Sequence, residues 1–304
     1  MAGHGFHAGE VAVQQRAGVS GDAARLAGML AAPDLRGGAE RFLADRTFAA
    51  LTARDAGGRL WISPLTGDPG FLEVADETTL RVHGRPAAGD PLHDVPAGQA
   101  VGLIAVDFAR RRRIRVNGTL AVSGASGLVV AAEQAFGNCP QYIQQRVLDS
   151  TAHVGSSGAV RRGAALGDAD VALVRNADTF LLGTTHPDRG SDASHRGGAP
   201  GFVRVENAHE LWWPDYPGNN LFNSLGNIAV DPAAALLFLD FATGTTLHLS
   251  GTAVIDWEGL PEPAADDRTG RRVRFTVEAT ASGSTSVHAD DVVASPWNPP
   301  LTAP

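Results

Sequence analysis

The chain has 304 residues, 43% of them hydrophobic and 19% charged, with a formal net charge of −8. That is enough apolar material for one large core or two ordinary ones, and the acidic balance argues against a general nucleic-acid binder, whose phosphate contacts need a basic surface. All 25 basic residues are arginine, which excludes an internal lysine Schiff base and a GxxxxGK[ST] loop, so any bound phosphate must be held by arginine, backbone N–H or hydroxyl groups.

The start, MAGHGFHAGE, has no basic stretch followed by an apolar run, and GHGFHAG lacks the preceding strand that a dinucleotide fingerprint needs. Residues 23–32 and 39–45 read as helices, and residues 1–36 as a helical lead-in. Strands are expected near 47–53, 70–74 and 103–108, then across Ile114-Arg115-Val116-Asn117, where apolar and polar residues alternate. Arg110 to Arg113 fall at a turn and read mostly as a solvated tip, while Arg115 and Asn117 share one face of the strand that follows.

Cys139, the only cysteine, excludes an intrachain disulfide and zinc sites built on several cysteines. It opens a stretch, 139–148, that reads as a helix with Pro140 in its first turn. Tyr142, Arg146 and Ser150 would then lie at i, i+4, i+8 on one face, either as an anion clamp or as an exposed polar face. Residues 155–163 form a Gly- and Ser-rich linker, 169–176 another helix, and 179–184, 201–205, 236–241 and 247–250 further strands. The longest apolar run, AAALLFLDFA, is too short to span a bilayer and contains Asp240, so a cytoplasmic protein without membrane or nucleic-acid partners is expected. SPWNPPLTAP closes the chain as an irregular tail, 291–304.

Much of this occurs twice. SPLTGDPGFLEV, from Ser63, and SHRGGAPGFVRV, from Ser194, are identical at six of twelve positions with an offset of 131. Thr47-Phe48 matches Thr179-Phe180 at 132. Asp107-Phe108-Ala109 matches Asp240-Phe241-Ala242 at 133, as Gly118-Thr119 matches Gly251-Thr252. Offsets that drift by only two residues point to a duplication, with a first repeat at 37–155 and a second at 164–290. Gly (36) and Pro (18) favour turns, so each repeat is read as a run of antiparallel strands closing into a barrel or meander.

The chemistry is expected where the repeats differ. Ser194, His195, Arg196 and Gly197, read as a loop feeding a strand, could hold a phosphate, whereas the first repeat has Pro64 and Leu65 in place of His and Arg. WWPDYPGNNLFNSLGN mixes Asn219, Asn220, Asn223, Ser224 and Asn227 with Trp212, Trp213, Tyr216 and Phe222, which suits a flat heteroaromatic with a polar rim or simply a turn and helix cap. HExxH and GxSxG are absent, and no catalytic acid or base stands out.

RRRIRVNG, NCPQYIQQR, SHRGGAPGFVRV and DYPGNNLFNSLGN, in this order, resemble the pyridoxamine 5′-phosphate oxidase-like FMN-binding split-barrel superfamily, in particular bacterial tandem members related to that oxidase. The resemblance spans roughly residues 37–280. It implies a mainly β chain of two tandem antiparallel split barrels forming an intrachain pseudo-dimer, with homodimers common in the family. It implies FMN between the barrels, held by Ser194, His195, Arg196, Gly197, Asn220, Asn223 and Ser224, with Arg115 and Asn117 from the other barrel. It further implies an FMN-dependent oxidoreductase supplied by NAD(P)H or a reductase, with a small-molecule substrate met by Tyr142, Arg146 and Ser150. The oxidase's phosphate-binding lysine is absent, and its C-terminal Arg-x-His motif has no match in SPWNPPLTAP, which sets the chain apart from pyridoxamine phosphate oxidation. A flavin carrier or sensor without turnover is the alternative, as is a haem-binding relative with His195, His209 or His248 as axial ligand.

Overall fold

A computed structural model describes residues 5–149, 160–257, 269–289 and 291–301. Two antiparallel sheets dominate it. The first repeat supplies β1 (Phe48–Arg54), β2 (Leu60–Thr66), β3 (Leu72–Val74), β4 (Thr79–Val82), β5 (Gln99–Asp107), β6 (Arg112–Gly124) and β7 (Gly127–Gly137). After a short β8 (Arg161–Gly163), the second supplies β9 (Thr179–His186), β10 (Gly190–Gly197), β11 (Arg204–Asn207), β12 (Glu210–Pro214), β13 (Ala233–Asp240), β14 (Thr245–Asp256) and β15 (Arg272–Ser284). The strand orders are β2-β1-β5-β6-β7-β4-β3 and β10-β9-β13-β14-β15-β12-β11, with β8 added beside β15. Substituting each strand by its repeat partner turns one order into the other, so the duplication seen in the residues is a duplication of the fold. Even the irregularities repeat. Both long hairpins carry a bulge at the same place, Asn117/Gly118 and Ser250/Gly251, where a Cβ on either glycine would strike the backbone of the neighbouring strand.

The continuous apolar runs follow from burial on both faces. In β1, Ala49, Leu51 and Ala53 enter the core of the first sheet, while Phe48 and Ala50 face the other way. In β13, Ala234, Leu236 and Phe238 enter the second core, while Ala235, Leu237 and Leu239 face the first repeat. The outward sets from both repeats, joined by Ile62, Ile104, Phe108, Leu181 and Phe241, make a third apolar core between the sheets. This is the expected mainly β chain, with two tandem antiparallel repeats packed on each other as a pseudo-dimer. At Gly102 on β5 a Cβ would lie 2.5 Å from the Asp192 backbone of β10, so glycine there lets the two repeats touch.

Among the described residues five α-helices decorate the sheets: α1 (Ala8–Arg16), α2 (Ser20–Ala24), α3 (Gly38–Ala44), α4 (Asp168–Asn176) and α5 (Asn223–Val230). The lead-in is helical, but α1 packs on α5 of the second repeat, where Gly9 lies against the Gly226 backbone. Among the described residues no helix is long and apolar enough to cross a membrane.

Two local expectations are corrected. Residues 138–149 do not form a helix. Tyr142 has a left-handed backbone (φ 64°), and the segment continues extended, with Gln145 bridged to Val293 of the tail. The Gln144 side chain bonds to Tyr142 O beside it and to Gly198 O and Asn298 in distant segments, contacts that hold the stretch in its non-helical path. Ser194 to Gly197 are not a loop either, but the end of β10, paired rung by rung with β9 from Leu182 to Thr179. Polar residues stand there on a strand because His195 and Arg196 line a cleft and Ser194 is bonded to Ser224 behind it.

Candidate functional site

The cleft lies where β6 of the first repeat meets β10, β12 and the start of α5 of the second, and it opens to solvent. Its floor is cationic. Arg113 and Arg115, two apart on β6, point the same way, and Arg196 comes from β10. Arg115 is buried and paired across the repeats with Asp192, its Nη1 lying 2.9 and 3.2 Å from the two carboxylate oxygens. Arg113 and Arg196 are half-buried and have no carboxylate in salt-bridge range among the described residues; each donates only a 3.4 Å bond to His195 O. Burial, then the neighbouring guanidiniums Arg115 and Arg196, pull the Arg113 pKa down to about 9. Burial likewise lowers Arg196. Asp215 also lines the cleft and partly offsets Arg196, but its carboxylate is paired with Arg271. Crowded, partly desolvated guanidiniums that outnumber the nearby carboxylates make a site that favours an anion.

His195 sits among them, 2% exposed and edge-on to Phe108. Burial first, then Arg113 and Arg196, push its pKa well below the usual histidine value, so the ring is neutral. Among the described residues neither ring nitrogen has a partner, nor do Nε of Arg113, Arg115 and Arg196, Trp213 Nε1 or Asn138 Oδ1, all on residues lining this one cleft. Buried polar atoms ordinarily find partners inside the protein, and a cluster of orphans marks a place built for a ligand.

The N-terminus of α5 opens onto the same space, with Asn223 and Ser224 at its first turn, which adds oriented N–H groups for an anion. Ser224 Oγ lies 3.0 Å from both Asp192 Oδ2 and Ser194 Oγ. The walls are aromatic: Trp213, Phe222 and the Tyr142–Tyr216 pair, whose ring centroids are 5.1 Å apart. Of four described non-glycine residues with left-handed backbone, Tyr142, Asn220 and Phe222 line the cleft. Such conformations persist only where the surroundings enforce them, and they concentrate at working sites.

Most expected site residues therefore meet. Arg115, Tyr142, His195, Arg196, Gly197, Asn220, Asn223 and Ser224 line the cleft. Ser194 is fully buried just behind it, held by Ser224. Asn117 stands deeper, donating to Asp192 (3.1 Å) and Gln134 (3.3 Å), and supports the site rather than lining it. Asn227 turns away to His7 and Thr184, and Trp212 to Glu206. Of the three histidines weighed as ligands only His195 reaches the cleft. His248 is buried near Ile62 O, and His209 is exposed at a turn.

The proposed clamp of Tyr142, Arg146 and Ser150 does not form, because its helix does not. Arg146 is buried away from the cleft, 2.6 Å from Asp178 and with its guanidinium 3.9 Å over Phe241, while Ser150 lies outside the described residues. Arg146→Ala is expected to cost about 3 kcal/mol by breaking a buried pair and to leave ligand affinity at the cleft unchanged; urea unfolding and a flavin titration on the same sample check both.

Three contributors escaped sequence reasoning. Arg113 was grouped with the solvated tip, although Arg110 and Arg112 are exposed and Arg113 is not; its period-2 spacing to Arg115 was the available signal. Asp192 gives no local sign of its role. Glu10 is the third: on α1 it is 2% exposed, and it accepts from Asn223 Nδ2 (2.5 Å) and His7 N–H (2.7 Å).

Burial is the main reason the Glu10 pKa rises from 4.5 to about 7. Burial, then His186 and Arg189, lowers His7 from 6.5 to about 4. A carboxyl with a raised folded pKa stabilises the fold when protonated, so its contribution fades as pH climbs from 4.5 to 7; lowered His7 has the opposite slope from 4 to 6.5 and masks it. Glu10→Gln removes the carboxyl alone. Relative to wild type it is expected to gain stability between pH 5 and pH 8, by up to about 3 kcal/mol, read from urea midpoints at both values. A difference that does not change with pH would contradict the burial of an ionisable carboxyl there.

No family model matches the chain, and no curated protein matches it. Parts of it are similar to solved structures. A HupZ variant of Group A Streptococcus aligns at 16% identity over 38% of this chain and 98% of its own, with a TM-score of 0.31. A candidate pyridoxamine 5′-phosphate oxidase of Lactobacillus delbrueckii aligns at 19% identity over 38% and 93%, also at 0.31. The FAD binding protein of Mycobacterium smegmatis aligns at 16% identity over 42% and 100%, at 0.27.

Proposed function

We propose that the chain is a tandem relative of the pyridoxamine 5′-phosphate oxidase-like split-barrel flavoproteins, binding FMN in the cleft between its two repeats and working as an oxidoreductase on a small molecule. One observation carries this reading. Two half-buried guanidiniums without a salt-bridged carboxylate among the described residues, Arg113 and Arg196, meet neutral His195 and the N-terminus of α5 inside an aromatic-walled cleft. The motif order RRRIRVNG to DYPGNNLFNSLGN, with its resemblance to that superfamily, favours FMN over other phosphate-bearing aromatics.

FMN, when bound, supplies the hydride or electron transfer. The residues supply the rest. Arg196 and Arg113, with the first N–H groups of α5, bind the phosphate. Asp192 pins Arg115 and, through Ser224, the first turn of α5, so the first repeat fixes the anion site of the second. Trp213 Nε1 and the amides of Asn138 and Asn220 offer hydrogen bonds to a polar ring edge, and Trp213, Phe222 and the tyrosine pair exclude water from its faces. His195 is buried and neutral, able to accept or donate a hydrogen bond without adding charge. Because both repeats lie in one chain, this site needs no second copy of the protein.

The test is the purified protein itself. Flavin absorption that bleaches under NADH or NADPH in the absence of oxygen is expected; bound flavin that no nicotinamide or reductase reduces favours a carrier. The unpartnered nitrogens of neutral His195 favour a second reading, a haem ligand, and a Soret band in place of flavin absorption would establish it.

A further inference from the structure

Duplication gives the cleft a mate, related to it by exchange of the two repeats. The rung Leu51–Ser63 of the first repeat corresponds to Leu182–Ser194 of the second, so Ser63, Pro64 and Leu65 stand where Ser194, His195 and Arg196 stand. In the long hairpins the rungs Val106–Arg113 and Ile104–Arg115 correspond to Leu239–Thr246 and Leu237–His248. The mate therefore has Thr246, His248 and Leu65 in place of the three guanidiniums.

In their stead the chain supplies a carboxylate. Asp90 lies between β4 and β5, as Ser224 lies between β12 and β13. Its side chain is 6% exposed. One oxygen accepts from Ser63 Oγ at 2.5 Å and from Leu92 N–H at 2.8 Å, and the other is 3.6 Å from His248 Nε2. Ser63 and His248, the partners of Asp90, hold the places of Ser194 and Arg115, the very residues around Ser224 and Asp192 in the open cleft.

We infer that Asp90 is a built-in anion that closes the mate, so that the chain takes a single phosphate-bearing ligand, at the Arg196 pole alone. A second phosphate would have to displace a buried carboxylate and sit beside it with none of the open cleft's three guanidiniums to offset the repulsion. The identity of the ligand as FMN rests on the function proposed above; the number of anion sites does not.

Equilibrium dialysis of the full chain tests it with two probes, FMN and, separately, inorganic phosphate. One FMN and one phosphate per chain are expected, in competition. Arg196→Leu is expected to lower both affinities at least 100-fold, and because Leu65 already fills that place in the first repeat, the variant should melt as wild type does. Two equivalents of either probe, or one of two surviving in Arg196→Leu, would overturn the single site. Phosphate binding at one equivalent without FMN would sink the flavin reading and leave this one standing; binding of neither probe would overturn both.

Discussion

Arg196→Leu should abolish flavin binding at micromolar concentrations while leaving the fold intact. Among the described residues Arg196 has no salt-bridged carboxylate to lose, and Asp215 nearby keeps its pairing with Arg271, so the substitution strands no buried charge. What it removes is a pair of charge-assisted hydrogen bonds to phosphate, each on the order of 1.5 kcal/mol or more. Together they amount to roughly 100-fold in affinity, at about 1.4 kcal/mol per factor of ten. Fluorescence titration with FMN, beside a thermal melt, separates the two effects. Unchanged affinity in a folded variant would move the phosphate away from Arg196. Arg113→Leu should act in the same direction, because Arg113 shares the floor of the cleft and lacks a carboxylate too.

Asp192→Ala is expected to do the reverse, a large loss of stability with no loss of anion affinity. Asp192 is 2% exposed and serves Arg115, Asn117 and Ser224 at once, two of them from the other repeat. Removing it leaves the Arg115 guanidinium buried without a partner, for which about 3–5 kcal/mol is typical. The same change frees Arg115 to face the cleft, so phosphate binding by the folded fraction should hold or strengthen. Urea midpoints measure the first effect. The double variant Asp192→Ala/Arg115→Leu should recover much of the loss, since removing both charges of a buried pair is often close to neutral. Failure to recover would show that the Ser224 and Asn117 contacts, and not the ion pair, join the repeats.

The fold was legible because a duplicated sequence states its topology twice. The drifting offset from Ser63/Ser194 to Gly118/Gly251 matches the strand correspondence closely, and the Gly-Thr pairs mark the shared bulge. The cleft was legible where the repeats differ, since residues that the scaffold does not need, His195 and Arg196 against Pro64 and Leu65, are free to serve a ligand. Residues 138–149 misled for a physical reason. Their spacing is helical, but the backbone turn at Tyr142 and the pairing of Gln145 with Val293 are set by contacts from distant parts of the chain. Asp192 and Glu10 were invisible for a related reason. Each is an ordinary acidic residue in sequence, and each reaches a side chain that is distant in the chain, Arg115 from Asp192 and Asn223 from Glu10.

The most direct measurement is a crystal structure of the chain grown with FMN. The phosphate is expected within hydrogen-bond reach of Arg196 and Arg113 at the first turn of α5, with the ring system between Trp213 and the Tyr142–Tyr216 pair, once per chain. Flavin bound elsewhere, or a cleft without flavin at saturating concentration, would contradict the assignment of this cleft as the cofactor site.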